Sequence, residues 1–362
     1  MTTSAASGNG RGRAFAFGSR MVGPGAPTLT IAELSGNHNG SLERAIAMVE
    51  AAAKAGVDVV KVQTYTADTI TLNSDAPSFR AHGLWEGRTL YDLYAEAAMP
   101  WEWQRDLAAE CARHGVEFFS SVFDVSSIEF LESMGVAGYK IASFEIVDIP
   151  LIRATAATGK PVIMSTGMAT FDEIAEAVDA VRGTGNEALA LLVCTSAYPA
   201  PAEAANVRTI PDLAARTDAI VGLSDHTMGL EVPLAAVSLG ASVVEKHFTL
   251  RRADGGVDSA FSLESEEFAA LVDSIRTTEA ALGGVHYGPT DADRTSLQYR
   301  RSLFVARDVA AGSVLGPDDV RSVRPSDGLH PRHLPEILGK LAVRDLSAGT
   351  PFHWDMIGID AS

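Results

Sequence analysis

The chain is 362 residues long, with 46% hydrophobic residues and a formal net charge of −17. This length suits one large domain with a small companion, and the acidic balance argues against nucleic acid or an anionic membrane as partner. No apolar run reaches the length that spans a bilayer, the N-terminal region lacks the pattern of a secretory signal, and a cytoplasmic protein is expected.

Residues 1–27, rich in Gly, Ser, Ala and Arg, are expected to form a flexible N-terminal extension. A strand over 28–33 then feeds Ser35-Gly36-Asn37-His38-Asn39-Gly40, and a helix over 42–55 stops at Gly56. The same unit recurs: strand 57–63, a long insert, helix 101–114; strand 116–121, helix 125–134; strand 138–143, a helix capped by Asp148 and running to 157. Strand 161–165 precedes a helix to Arg182 that opens on the capping box Thr170–Glu173, and strand 188–195 precedes a helix containing Pro211 near its start. Strand 219–224, helix 230–239, strand 242–246 and helix 266–282 complete the alternation.

Eight such units over 28–284 are the count and size of a (β/α)8 TIM barrel. The competing open doubly wound sheet would show a Gly-rich dinucleotide turn, which is absent. Residues 285–298 read as a linker, and 299–362 as a small β-rich domain. That domain holds an internal echo, Val305-Ala306-Arg307-Asp308-Val309-Ala310-Ala311-Gly312-Ser313 against Ala342-Val343-Arg344-Asp345-Leu346-Ser347-Ala348-Gly349-Thr350.

In a barrel of this type chemistry sits at the C-terminal rim of the strands. That rim reads Glu33; Lys61 and Gln63; Ser120 and Ser121; Lys140, Ser143 and Glu145; Ser165 and Thr166; Thr195, Ser196 and Tyr198; Ser224, Asp225 and His226; Glu245 and His247. Lys61 and Lys140 interrupt buried strand patterns, so each needs an anion: a bound phosphate, or an ion pair with Glu33 or Glu145. With Ser121, Ser143, Ser165 and Ser224 beside them, two lysines describe a phosphate pocket without a P-loop. His226 and His247 leave a strand end each and are candidate metal ligands with open coordination positions, which suits Mn²⁺ or Mg²⁺. Phe118, Phe119 and Phe123, like the two cysteines Cys111 and Cys194, are expected in the core.

These motifs resemble the N-acetylneuraminate (sialic acid) synthase family, which condenses phosphoenolpyruvate with an amino-sugar. The resemblance runs from about Thr28 to Phe352 and rests on Ala32-Glu33-Leu34-Ser35-Gly36-Asn37-His38-Asn39-Gly40, Tyr139-Lys140-Ile141-Ala142-Ser143-Phe144-Glu145, Ser165-Thr166-Gly167-Met168, Gly222-Leu223-Ser224-Asp225-His226-Thr227 and Glu245-Lys246-His247-Phe248-Thr249. The C-terminal segment resembles that family's antifreeze-like (SAF) domain. Gly87-Arg88-Thr89-Leu90-Tyr91-Asp92-Leu93-Tyr94 and Asp254-Gly255-Gly256-Val257-Asp258-Ser259-Ala260-Phe261-Ser262 resemble the branch whose sugar is 2,4-diacetamido-2,4,6-trideoxy-L-altrose. A manno-configured amino-sugar, as in the neuraminate and legionaminate branches, is the alternative. Val122 and Val193 depart from the usual proline and histidine at their positions.

The resemblance implies a divalent metal on His226 and His247, Mn²⁺ first with Mg²⁺ or Co²⁺ as alternatives, and phosphoenolpyruvate on Lys61, Ser121, Lys140, Ser143, Ser165 and Ser224. It implies the sugar beside Gln63, Tyr198, Asp258 and Arg324, and gives Glu33 the handling of protons. It further implies a homodimer, domain-swapped through the C-terminal domain, in which Arg324 reaches the site of the other subunit.

Overall fold

A computed structural model describes residues 12–82 and 85–358. The chain divides into two compact units, Met1–Gly283 and Gly284–Ser362. Residues 1–11, part of the expected extension, and 359–362 lie outside the described residues.

The first unit opens with a hairpin of β1 (Phe15–Phe17) and β2 (Arg20–Val22). Alternation of strand and helix follows: β3 (Leu29–Glu33), α1 (Leu42–Lys54) and β4 (Val59–Thr64). The insert carries α2 (Ala67–Ile70), a 3-10 turn (Pro77–Phe79) and α3 (Leu90–Ala97). Then come α4 (Trp103–Arg113), β5 (Glu117–Val122), α5 (Val125–Met134), β6 (Tyr139–Ile141) and α6 (Ile149–Ala156). They are followed by β7 (Val162–Ser165), α7 (Phe171–Arg182), β8 (Leu189–Cys194) and α8 (Thr209–Thr217). The unit ends with β9 (Ile220–Asp225), α9 (Glu231–Ser238), β10 (Val243–His247) and α10 (Ser265–Leu282).

The helix starts follow capping chemistry. Asp124 accepts from Ser126 N and Ser127 N at the head of α5, Asp148 from Leu151 N at the head of α6, and Thr170 with Glu173 closes a capping box on α7. Strands β3 to β10 are all parallel, and β10 pairs with β3 to close the barrel in the order β10-β3-β4-β5-β6-β7-β8-β9.

Because strand side chains alternate, each barrel strand sends one set of residues inward and the other against the helices. Leu29, Ile31, Val59, Phe119, Ile163, Ala190, Leu192, Ile220 and Val243 fill the lower interior, whereas their neighbours Ala32, Val60, Val62, Met164 and Leu191 pack with the helical layer. Continuing the inward set toward the strand ends gives Glu33, Lys61, Ser121, Lys140, Ser165, Cys194, Ser224, Glu245 and His247. The interior is therefore apolar below and polar above. Gly222 belongs to the inward set of β9 because a Cβ there would lie 2.3 Å from the Val243 carbonyl and 2.8 Å from Leu192.

The hairpin corrects the expectation of a flexible extension. Phe17 and Val22 are fully buried in the lower interior, and the Phe17 ring meets Phe119 edge-on at 5.0 Å. Gly18, at φ +57°, supplies the turn, and Ser19 fastens it by two hydrogen bonds of 2.7 Å, N and Oγ, to Glu117. Two strands of three residues each, set in a Gly-rich stretch, are too short to show the alternation that announces a strand.

In the second unit the stretch expected as a linker carries a 3-10 helix, Asp291–Tyr299, started by Thr290 donating from N and Oγ1 to Asp293 at 2.8 and 2.7 Å. Beyond it, β11 (Ser302–Val305) pairs antiparallel with β12 (Val320–Val323), and a short α11 (Leu334–Ile337) follows. The internal echo becomes a reciprocal pairing. Val309 and Leu346 exchange two backbone hydrogen bonds of 2.8 Å, Asp345 accepts from Ala311 N, and Asp308 accepts from Ala348 N, each at 2.8 Å. Leu303, Val305, Val309, Leu315, Ile337, Leu346 and Phe352 form this unit's own core.

Candidate active site

The polar upper layer opens into a cavity of about 600 Å³. Its lining includes Glu33, Lys61, Gln63, Ser121, Lys140, Ser143, Ser165, Tyr198, Ser224, His226, His247 and Asp258, so the barrel brings together every candidate site residue of the first unit. Arg324 is exposed in the second unit, one residue beyond β12.

At the foot of the cavity two lysines and two carboxylates interlock. Lys61 Nζ lies 2.7 Å from Glu33 and 3.0 Å from Glu245, and donates to Ser121 Oγ at 3.2 Å. Lys140 Nζ donates to Ser165 Oγ at 2.7 Å and stands 3.6 Å from Glu245. Ser224 Oγ also donates to Glu245, at 3.4 Å. Lys61 thus takes the carboxylate partner anticipated in Glu33, while Lys140 pairs with Glu245 rather than Glu145. Four fully buried charges sum to zero, and the two lysines differ: Lys61 is doubly paired, Lys140 loosely.

Their electrostatics follow. Burial pulls the Lys61 ammonium down, but Glu245 and Glu33 outweigh it and hold its pKa above the ordinary lysine value. Burial lowers Lys140, helped by the neighbouring Lys61. Burial raises the Glu33 carboxyl despite Lys61, and Glu33 Oε1 is held by Ser35 N at 2.9 Å and Gln63 Nε2 at 3.1 Å. Glu145, also lining the cavity, is raised by burial to about 7, and its Oε2 is buried without a hydrogen-bond partner.

The histidine rings meet edge-on, inclined at 60° with centroids 5.3 Å apart. His226 Nδ1 is 2.9 Å from the Thr195 carbonyl, which only accepts, so Nδ1 carries the hydrogen and, in the neutral ring, Nε2 keeps its lone pair. Burial, with His226 and the nearby lysines, pushes His247 well below its ordinary pKa, and its Nδ1 is buried without a hydrogen-bond partner. Asp258 Oδ2 lies 4.0 Å from that nitrogen and accepts from Ser35 Oγ. Two imidazoles with unused lone pairs beside a carboxylate are a donor set that fits a divalent cation. A second group, Glu50, Glu110 and His114, brings ligand atoms within 4.8 Å of one another on α1 and the end of α4, and none of the three lines the cavity.

Several cavity residues escaped the sequence reading. Cys194 and Phe123, expected in the core, line the cavity, with Cys194 Sγ 3.9 Å from His226 Nδ1. Phase shows why: Ala190, Leu192 and Cys194 are alternate residues of one strand, so Cys194 shares the inward face. The insert contributes Ile70, Trp85, Leu93 and Tyr94, which with Tyr65 and Phe123 make an apolar wall opposite the charged foot. The Tyr65 ring meets Tyr94 at 6.0 Å and Phe123 at 5.1 Å, and Trp85 donates to the Val257 carbonyl at 3.3 Å across the mouth. Composition gave no signal for a wall built from so separated a set.

A barrel with paired lysines and hydroxyls in one layer at the foot of a rim cavity defines a pocket for a small anion. The profile of the NeuB family matches residues 48–287, and that of the SAF domain residues 300–358. The chain belongs to the NeuB family and carries a C-terminal SAF domain. A pseudaminic acid synthase of Campylobacter jejuni subsp. jejuni serotype O:23/36 is 45% identical over 323 residues, 88% of this chain and 93% of that protein. A pseudaminic acid synthase of Helicobacter pylori is 40% identical over 334 residues, 91% of this chain and 98% of that protein. Among solved structures, the spore coat polysaccharide biosynthesis protein SpsE of Bacillus subtilis superposes with a TM-score of 0.66 at 34% identity, covering 96% of this chain and all of that one. The N-acetylneuraminic acid synthetase of Leptospira borgpetersenii gives 0.71 at 30% identity, covering 80% and 96%.

Proposed function

We propose that this chain is a pseudaminic acid synthase, condensing phosphoenolpyruvate with 2,4-diacetamido-2,4,6-trideoxy-L-altrose to give pseudaminic acid and phosphate. The relatives at 40–45% identity bear that name. The observation that carries the chemistry is the foot layer, where Lys61, Lys140, Ser121, Ser165 and Ser224 gather around Glu245 beside the histidine pair.

Phosphoenolpyruvate is seated on Lys61, Lys140 and the hydroxyls of Ser121, Ser143, Ser165 and Ser224, which keep its anionic groups paired while C3 bonds to the sugar aldehyde carbon. Water then adds to C2, the C2–O bond to phosphate breaks, and phosphate leaves still bound to the lysines. Glu33, its carboxyl raised by burial and oriented by Ser35 and Gln63, takes the proton of that water, while the alkoxide formed on the former aldehyde oxygen takes up a proton to become the product hydroxyl. His226 and His247 would hold a divalent cation, Mn²⁺ ahead of Mg²⁺ or Co²⁺, which as a Lewis acid polarises the aldehyde. The sugar occupies the side of Gln63, Tyr198 and Asp258, against the apolar wall that suits its acetamido and 6-deoxy methyl groups. Arg324, supplied by the C-terminal domain of a second copy in a domain-swapped homodimer, completes the sugar site in this proposal, which rests on the family resemblance. No helix among the described residues is long and apolar enough to cross a membrane, consistent with the proposed cytoplasmic enzyme.

The test is phosphate release from phosphoenolpyruvate with Mn²⁺, offering the L-altrose sugar beside N-acetylmannosamine and 2,4-diacetamido-2,4,6-trideoxymannose. Release with the altrose sugar alone is expected. Release only with a manno sugar would keep the chemistry and move the chain to a neuraminate or legionaminate synthase; none with any sugar would refute the proposal.

A further inference from the structure

Two buried charges sit directly behind the histidine pair and outside the cavity. Asp225 and Lys246 are register partners on β9 and β10, with side chains 2% and 0% exposed. Each is out of phase with the inward set: Ser224 and Glu245, one residue before them, belong to the foot layer, and His226 and His247 follow one residue after. Strand alternation therefore turns Asp225 and Lys246 away from the substrate side, and neither lines the cavity.

The pair closes a small network around His226. Lys246 Nζ donates to Asp225 Oδ2 and to the Thr227 carbonyl. Asp225 in turn accepts from Thr227 N at 3.0 Å and from Thr227 Oγ1 at 3.1 Å. Both residues flanking His226 are thus tied to the residue that precedes His247. The remaining freedom of His226 is taken up by Ala200 N on its carbonyl and by Thr195 O on its ring, each at 2.9 Å.

Such a pair is a poor device for stability, since well-packed apolar residues of similar volume in place of a buried ion pair are commonly neutral or stabilising. Its placement explains it better. We propose that the Asp225–Lys246 ion pair is a positioning device that fixes the separation and orientation of His226 and His247 for the cation they would hold. Groups that orient metal-binding imidazoles from behind typically govern affinity by about 10- to 100-fold. The inference rests on the reading of those histidines as ligands.

The experiment measures Mn²⁺ affinity of the full chain from the electron paramagnetic resonance signal of the free ion, alongside thermal melting and phosphoenolpyruvate binding without metal. The double variant Asp225→Leu/Lys246→Met should melt as the wild type does and bind phosphoenolpyruvate equally well, with Mn²⁺ affinity reduced about 10- to 100-fold. Should that variant fail to fold, Asp225→Asn/Lys246→Met, which keeps the Asp225 side-chain shape and leaves no buried charge unpaired, carries the same expectation for Mn²⁺. Mn²⁺ affinity within twofold of wild type in a folded variant would overturn the inference. Wild-type chain that binds Mn²⁺ no better than His226→Ala would instead overturn the metal reading and the inference with it.

Discussion

Replacing Lys61 by Met leaves Glu33 and Glu245 buried without the cation they share at 2.7 and 3.0 Å. Removing one partner of a buried ion pair costs about 3–5 kcal/mol, and at roughly 2–4 °C per kcal/mol for a large domain the melting temperature should fall by about 6–20 °C. Lys140→Met takes away a cation 3.6 Å from Glu245 while Lys61 stays bonded to that carboxylate, so its effect on melting should be small. Its effect on substrate should be large: a hydrogen bond to a charged group contributes about 1.5–3 kcal/mol, or about 10- to 150-fold in KM for phosphoenolpyruvate. The Lys61 variant also has a pH signature. Burial already raises the Glu33 carboxyl, and loss of Lys61 raises it further. A carboxyl with a folded pKa above its unfolded value takes up a proton on folding, so stability falls as pH climbs from the unfolded value through the folded one. The deficit should be smallest near the unfolded carboxyl value, about pH 4, and widen above it. Thermal melts across pH, with phosphate release titrated by phosphoenolpyruvate, measure both variants. A Lys61→Met chain that melts with the wild type, or a Lys140→Met chain with unchanged KM for phosphoenolpyruvate, would refute this division of labour.

Phe17→Ala empties the base of the barrel and should destabilise by about 3–5 kcal/mol; a melt matching wild type would show that the hairpin contributes nothing to the core. Glu145 is held at about 7 by burial, so it is protonated below that pH and ionised above it. Glu145→Gln should remove an ionisation near neutrality from the pH profile of kcat/KM, and an unaltered profile would exclude Glu145 from the working site. Trp85→Ala opens the apolar wall at the cavity mouth, and steady-state kinetics should show KM for the sugar rising about 10-fold with KM for phosphoenolpyruvate held. Equal rises in both would place Trp85 over the anion end instead.

The barrel was legible because each strand and helix carries its own local signal: Asp124, Asp148 and the Thr170–Glu173 box fix helix starts without reference to the rest of the chain. The rim was legible for a related reason. Lysines in β4 and β6 and histidines at the ends of β9 and β10 stand out against apolar runs, and the fold alone then brings them together. What stayed hidden depends on contacts between distant segments. The partner of Lys140 is Glu245, 105 positions away, not the nearer Glu145. Phe17 sits in a short Phe15-Ala16-Phe17 run within a Gly-, Ser- and Arg-rich stretch, and nothing local marks it as core until Phe119 and Ile163 surround it. Cys194 looks like core by composition, and only the phase of β8 turns it toward the cavity.

The hairpin at the base of the barrel has a bearing on how the chain is made. Phe17 leaves the ribosome before any of the residues that bury it, and Val243, which shares its cluster, emerges more than two hundred positions later. The contacts that seat Phe17 are thus among the most non-local in the first unit, and non-local contacts form slowly. During synthesis this aromatic side chain and the unpaired edge of β3, which awaits β10, stay exposed together until the eighth barrel strand arrives. The protein's most vulnerable interval should therefore lie in the time between translation of its first strand and its last, where a chaperone would have the most to cover.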